Sequence, residues 1–154
     1  MILSLDTNVL VDVMRGGRSH IRQRIDETLA SGTDMVVSTI VAHELVMGAH
    51  LSARPQEQLK SLGRLLADFR IEPWGWEDAM ATGRLRAERE RLGRRLTAFD
   101  TLIGGQALAR GWTLVTADLR DFWEIDGLRL LDWSNPDEAV SITGGLSWFR
   151  PPPR

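Results

Sequence analysis

Short apolar runs and longer amphipathic segments alternate along this chain. The runs predict buried strands at residues 2–5, 35–39, 70–74, 113–117 and 128–133. Between them, apolar residues recur every three or four positions and predict helices at residues 9–14, 21–29, 40–51, 55–69, 77–92 and 97–111. Strands that alternate with helices are typical of a parallel sheet covered on both faces. The pattern therefore predicts an α/β fold.

The C-terminal part of the chain does not follow this pattern. Its sequence SITGGLSWFRPPPR, residues 141–154, is rich in glycine and proline. Such composition at a chain end is typical of a poorly ordered segment. For a chain of 154 residues we expect one domain over residues 1–135, followed by a partly disordered tail over residues 136–154.

Composition excludes several classes of protein. The chain has no cysteine, so disulfides and thiolate metal sites are excluded. A net charge of −2 argues mildly against nucleic-acid binding, although a local basic patch matters more than the sum. Asp6 interrupts the short apolar N-terminus, and no stretch approaches the roughly 20 apolar residues of a membrane span. We expect a cytoplasmic protein without a membrane segment.

Acidic residues recur where the predicted strands end. In an open parallel sheet, functional sites lie beyond the carboxyl ends of the strands. Asp6 follows the first strand, and Glu44 lies about one turn into the helix after the second. Asp100 begins the helix that leads to the fourth strand, and Asp118 follows that strand. These acids are therefore expected near one edge of the sheet.

Three of these acids also have an ordinary structural explanation. Asp6 and Asp118 could cap the segments that follow them, and Asp100 could form a capping box with Thr97. Glu44 fits no cap, and it lies among apolar residues in what the sequence predicts is a mostly buried helix. Four carboxylates together would repel each other unless a divalent cation joins them. Oxygen ligands alone favour Mg²⁺ or Mn²⁺ over Zn²⁺.

Four segments, in this order and spacing, resemble the PIN-domain ribonucleases, in particular the VapC toxins of type II toxin–antitoxin modules: LDTNVLVD, STIVAHELVMGA, LTAFDTLIGGQALARG and LVTADLRDF. The resemblance covers residues 1–133. It implies a three-layer α/β/α sandwich whose parallel sheet has the strand order 3-2-1-4-5. It also implies a catalytic, metal-binding set that holds Mg²⁺ or Mn²⁺, namely Asp6, Glu44, Asp100 and Asp118. The polar residues expected to support this set are Thr7, Asn8, Thr116 and Asp121.

The same resemblance implies a function. The expected activity is that of a metal-dependent endoribonuclease whose products carry a 5′-phosphate and a 3′-hydroxyl. A homodimer and a tight complex with a VapB-like antitoxin are expected, with apolar helices around Val46, Leu59 and Leu62 supplying the antitoxin groove. Two alternatives stay open at this point. One is a housekeeping RNA-processing nuclease, and the other is a non-catalytic metal- or RNA-binding module of the same fold.

Basic and aromatic residues suggest where RNA could bind. Arg84, Arg89 and Arg91, on the charged helix that also leads into Arg94 and Arg95, are expected to contact RNA phosphates. The alternative is a solvated helix face with i,i+4 ion pairs. The histidines are expected at the surface, because a nucleophile generated by a metal needs no histidine acid–base pair. Six tryptophans could stack on bases, although packing explains most of them as well.

Overall fold

Strands and helices alternate along the chain at nearly the predicted positions. A computed structural model describes residues 1–93, 97–137 and 139–144. The strands are β1 (Ile2–Leu5), β2 (Asp34–Ser38), β3 (Arg70–Glu72), β4 (Thr113–Thr116), β5 (Arg129–Asp132) and β6 (Val140–Thr143). The α-helices are α1 (Thr7–Met14), α2 (Ser19–Ala30), α3 (Thr39–His50), α4 (Pro55–Leu66), α5 (Trp76–Arg91) and α6 (Ala98–Ala109). A short 3₁₀ helix spans Leu119–Asp121.

The strands form one sheet in the order β3-β2-β1-β4-β5-β6. Strands β1 to β5 are parallel to one another, and β1 lies between β2 and β4, with Leu3 opposite both Met35 and Thr113. The expected order 3-2-1-4-5 is therefore confirmed. This order brings the carboxyl ends of β1 and β4 side by side, which is the position that the acidic residues require.

The sequence did not predict β6. It runs antiparallel to β5, with Ile142 opposite Leu130, and Gly144 N donates to Leu128 O at 2.7 Å. The sheet therefore extends past residue 135, where the predicted domain ended. Its sequence VSIT alternates apolar and polar residues, but four residues are too few to distinguish a strand from a loop. The predicted disorder of residues 145–154 concerns a segment outside the described residues.

The core lies on both faces of the sheet. Successive residues of a strand point to opposite faces, and the neighbours Val36 and Val37 are both fully buried. The same holds for Leu114 and Val115 on β4. Helices therefore cover both faces, as the α/β/α expectation requires. Within the described ranges, no helix is long and apolar enough to cross a membrane.

Two glycines let α6 pack unusually closely on its neighbours. A Cβ atom on Gly105 would lie 2.5 Å from Cγ2 of Thr82 on α5. A Cβ atom on Gly104 would lie 2.5 Å from Cδ1 of Ile125, in the segment before β5. Real Cβ atoms do not approach other atoms so closely, so α6 reaches this position only because both side chains are absent. This packing fixes the helix whose first turn carries Asp100.

A buried ion pair joins the start of α5 to the end of α6. The carboxylate of Asp78 accepts hydrogen bonds from Arg110 Nε at 2.9 Å and Nη2 at 2.7 Å, and from Gly75 N at 2.8 Å. Gln106 Nε2 donates to it as well, at 3.2 Å. Burial alone would raise the pKa of Asp78, but the hydrogen bonds from Arg110 and Gly75 outweigh it and lower the pKa. The pair therefore stabilises the packing of α5 on α6.

We expect Asp78→Asn to lower the free energy of unfolding by about 2 kcal/mol, because it leaves Arg110 without its charge partner. The cost is below that of a fully buried pair, since the Arg110 side chain is 31% exposed. The pKa of Asp78 is lower in the folded than in the unfolded chain. The loss should therefore be seen at neutral pH and should shrink as the pH falls below the unfolded pKa.

Urea unfolding at pH 7 and pH 3 measures this difference. Glu88→Gln is the matched control, since its pair with Arg84 lies on the exposed face of α5 and should contribute nothing measurable. Equal loss from both variants at pH 7 would contradict the assignment.

Candidate active site

Asp6 occupies the centre of the sheet edge. It follows β1, and its backbone N donates to Val115 O of β4 at 2.9 Å. Its Oδ1 accepts a hydrogen bond from Thr7 N at 2.7 Å, which caps α1. The residue is only 4% exposed. Asp6 is therefore both the helix cap and a nearly buried carboxylate beside β4.

Thr116 and Asn8 connect α1 to the end of β4. Thr116 Oγ1 donates to Asp6 Oδ2 at 3.1 Å and accepts from Asp118 N at 3.0 Å. Asn8 Oδ1 accepts from Ala117 N at 3.0 Å, and Asn8 Nδ2 donates to Thr116 Oγ1 at 3.3 Å. These contacts hold Asp6 in one orientation. They agree in position with the supporting role that the sequence predicts for Asn8 and Thr116.

Thr7 connects Asp6 to Glu44. Its backbone N donates to Asp6, and its Oγ1 donates to Glu44 Oε2 at 2.5 Å. Glu44 is half-buried, while Val46 and Met47 further along α3 are 39% and 45% exposed. The expectation of a mostly buried helix is therefore wrong, because one face of α3 points to solvent. The position of Glu44 near Asp6 does not depend on that argument.

Asp100 and Thr97 form one half of the capping box that their spacing predicts, because the Asp100 carboxylate bonds to the hydroxyl of Thr97 and not to its backbone N. Asp100 N donates to Thr97 Oγ1 at 3.1 Å, and Thr97 Oγ1 donates to the Asp100 carboxylate. The charge of Asp100 also reaches Asp6, where it raises the pKa. Asp100 can therefore take part in the cap of α6 and still lie near Asp6.

Electrostatics single out Asp6 among the acids. Burial raises the pKa of its carboxyl from 3.8 to about 7. Hydrogen bonds from Thr7 and Thr116 oppose this shift, and the negative charges of Asp100 and Asp121 add to it. Burial and the neighbouring acids therefore disfavour the charged form of the Asp6 carboxyl when no cation is bound.

Asp118 and Asp121 lie at the two ends of the short 3₁₀ helix after β4. Asp118 Oδ1 accepts from Arg120 N at 3.1 Å and caps the 3₁₀ helix, as the structural alternative predicts. Asp121, which the sequence assigns a supporting role, carries a negative charge that adds to the rise in the pKa of Asp6. The predicted metal-binding role of Asp118 stays a prediction. The supporting role predicted for Asp121 likewise stays a prediction.

The carboxylates suit a hard divalent cation in chemistry but do not form a complete coordination sphere. Across the described ranges, no three His, Asp or Glu side chains are arranged to hold one ion. Instead, Glu44 and Asp100 each accept a hydrogen bond from a threonine hydroxyl. All these donors are oxygens, which Mg²⁺ and Mn²⁺ prefer. In each case the threonine bonds to one of the two carboxylate oxygens.

The arginines expected to bind RNA lie in different environments. Arg89 is only 5% exposed, donates to Glu124 O at 2.6 Å and pairs with the Glu124 carboxylate. The predicted contact of Arg89 with phosphate is therefore wrong, because this position of α5 faces the protein. Arg84 is exposed and pairs with Glu88, and Arg91 is exposed. Their RNA contacts stay a prediction, and the predicted contribution of Arg94 and Arg95 lies outside the described residues.

A groove of about 420 Å³ runs from Glu44 between α1, α3 and α4. Its apolar wall includes Val11, Met14, Leu45 and Ala49, and Arg15 and Gln58 lie at its polar rim. The residues expected to form it do not line it. Leu62 is buried in the core, and Val46 lies on the exposed face of α3. The expected groove is therefore present between these helices but is built from other residues.

A family model described as PIN domain matches residues 3–128. The chain belongs to the PIN-domain family, in its VapC group. The tRNA(fMet)-specific endonuclease VapC of Salmonella typhimurium is 33% identical over 129 residues, which are 84% of this chain and 96% of that protein. Ribonuclease VapC2 of Rickettsia felis is 30% identical over 133 residues, 86% of this chain and 98% of that protein.

Solved structures agree with this assignment to the VapC group. VapBC2 from Rickettsia felis bound to a promoter DNA fragment has a TM-score of 0.80 at 30% identity, over 86% of this PIN domain and 99% of that chain. DNA-bound VapBC from Salmonella typhimurium has a TM-score of 0.80 at 32% identity, over 86% of this chain and 98% of that chain. The resemblance in the sequence motifs is therefore confirmed at the level of both sequence and fold.

The buried carboxyl makes a prediction about stability in the absence of metal. The pKa of Asp6 is higher in the folded than in the unfolded chain, so its ionisation destabilises the fold as the pH rises through about 7. We expect Asp6→Asn to raise the free energy of unfolding at pH 8 by on the order of 4 kcal/mol and to change it little near pH 4.

Urea unfolding in EDTA across this pH range measures the gain. Asp26→Asn, which removes an exposed carboxylate on α2, is the matched control and should leave stability unchanged at both pH values. A gain that did not grow with pH would show that Asp6 is not charged against its environment.

Proposed function

We propose that this PIN domain is an endoribonuclease that hydrolyses RNA phosphodiester bonds with Mg²⁺ or Mn²⁺ and acts as the toxin of a type II toxin–antitoxin pair. The observation that carries the proposal is the buried Asp6 carboxyl, on which the charges of Asp100 and Asp121 converge. It occurs in a chain that matches ribonucleases of the VapC group over 84% of its length. The raised pKa of this carboxyl supports a functional site at this position, and the relatives named as endonuclease and ribonuclease favour a catalytic domain over a non-catalytic module.

The proposed ion would be held by Asp6, Glu44, Asp100 and Asp118. Their donor chemistry fits, and the ion would stabilise the charged form of Asp6, which burial and, to a smaller extent, the charges of Asp100 and Asp121 disfavour. A divalent ion supplies Lewis acidity, which neutralises charge on a scissile phosphate and makes a water molecule a better nucleophile. We infer that the reaction takes place in the cytoplasm, where the proposed RNA substrate is found.

The chain's own residues would orient the acids for this chemistry. Thr7 donates to both Asp6 and Glu44, and Thr97 donates to Asp100. Thr116 and Asn8 hold the end of β4 against the first turn of α1. Because the carboxylates approach from separate elements, their relative positions depend on these short hydrogen bonds. Such preorganisation reduces the entropy that substrate alignment would otherwise cost.

We infer a VapB-like antitoxin as the partner. The structural neighbours are VapBC complexes, and the groove beside Glu44 offers an apolar wall for a peptide segment. An arginine from that segment could form bidentate, charge-assisted hydrogen bonds with the acids and compete with the ion for their negative charge. The homodimer implied by the motifs remains part of this proposal.

We expect Glu44→Gln and Asp100→Asn each to lower the rate of RNA cleavage at least 100-fold, because each removes a charge that the ion needs. Cleavage of total RNA with Mn²⁺, with EDTA, and with each variant measures this effect. Thermal unfolding checks that the variants stay folded, and Asp26→Asn serves as the active control. Wild-type cleavage by both variants, or full activity in EDTA, would contradict the metal site.

The toxin assignment has a separate test. Expression of this chain alone should stop bacterial growth, and co-expression of the product of an adjacent small gene should restore it. The purified complex should have lost most of its cleavage activity, because the antitoxin covers the acids. If an actively cleaving protein were harmless when expressed alone, the housekeeping nuclease would be the better assignment.

A further inference from the structure

Two rings lie against each other beside the acid cluster. The centroids of the His43 and Phe99 rings are 5.8 Å apart, and their planes are inclined by 31°. His43 directly precedes Glu44 on α3, and Phe99 directly precedes Asp100 on α6. The ring pair therefore bridges the two helices at the point where each contributes an acid.

The two rings differ in exposure. Phe99 is half-buried and packs against the hydrophobic core, which fixes its position. His43 is exposed, and its ring contacts the Phe99 ring. The acid chemistry requires neither ring. An aromatic surface that is anchored on one side and open on the other suits stacking with a planar ligand.

We propose that the His43–Phe99 pair is a stacking platform for a nucleobase next to the scissile phosphate, with His43 as the ring that the base contacts. The inference deepens the proposed nuclease function and rests on it. Every phosphate of a single-stranded RNA has a base attached within one nucleotide. A strand whose phosphate lies at Glu44 and Asp100 therefore brings a base to rings that are one residue away from both acids.

The platform would position the substrate without taking part in bond cleavage. Stacking on an aromatic ring is tolerant of base identity, and removing such a ring commonly weakens binding about tenfold per base. His43→Ala is therefore expected to raise KM for a short single-stranded RNA about tenfold and to leave kcat within about twofold. His43→Phe keeps a stacking surface and should restore KM.

His50→Ala is the matched control. His50 is exposed on the same helix, two turns beyond His43 and therefore on a similar face, but it lies away from the acids. It should leave KM and kcat unchanged. Thermal unfolding of all three variants shows whether the fold is retained, since His43→Ala removes one ring contact between α3 and α6.

An RNA series with one abasic site tests the contact directly. With the wild-type chain, one abasic position beside the cleavage site should raise KM about tenfold. With His43→Ala the same abasic position should have no further effect, because the stacking partner is already missing. Additive effects of the two changes, or failure of His43→Phe to restore KM, would overturn the platform.

The outcomes separate this proposal from the nuclease function. If the wild-type chain cleaves no RNA with Mn²⁺, the proposed function itself fails. If it cleaves RNA and His43→Ala behaves like wild type, only the platform fails.

The exposed Val46 and Met47 lie one turn further along α3, so a protein could cover this face instead. A changed sedimentation coefficient for His43→Ala at unchanged KM would assign the face to a protein contact and overturn the proposal.

Discussion

The structure depends on one costly placement, the carboxylate of Asp6 at the buried junction of β1 and β4. Burial in this position disfavours its charge and raises its pKa to about 7. The chain compensates only in part, with hydrogen bonds from Thr7 and Thr116. A protein selected for stability alone would gain by replacing such a group with a neutral one. A cation that binds there would explain why a carboxyl stands at this position.

The parallel topology makes this placement possible. Because β1 lies between β2 and β4, the segments that follow these strands meet at one edge. α3 brings Glu44 to this edge, and α6 brings Asp100. The position of α6 depends in turn on its glycine contacts with α5 and on the buried Asp78–Arg110 pair. Residues far from the acids therefore contribute to the geometry of the site.

The sequence was sufficient for the alternation of strands and helices, which apolar periodicity reflects directly, and for the family, whose resemblance then implied the strand order. It was less reliable where the answer depends on distances between elements. Arg89 was expected to face RNA, but it is buried against Glu124, because it lies one turn after Leu85 on the face of α5 that packs on the protein. The turn after β4 was likewise beyond sequence reasoning, because the spacing of Asp118 and Asp121 does not reveal that Asp118 caps a 3₁₀ helix while the charge of Asp121 reaches Asp6. Strand β6 was missed because so short an alternation is not distinctive.

The central claim is that the buried Asp6 carboxyl needs a bound cation to be fully ionised at neutral pH. An NMR titration of the Asp6 carboxyl carbon, assigned with the Asp6→Asn variant, measures this directly in the presence and absence of Mg²⁺. We predict a pKa of about 7 in EDTA. With saturating Mg²⁺, the pKa should fall below about 5, because the ion stabilises the charged form. A carboxyl that titrates near pH 4 in EDTA, or one whose pKa does not respond to Mg²⁺, would contradict the account.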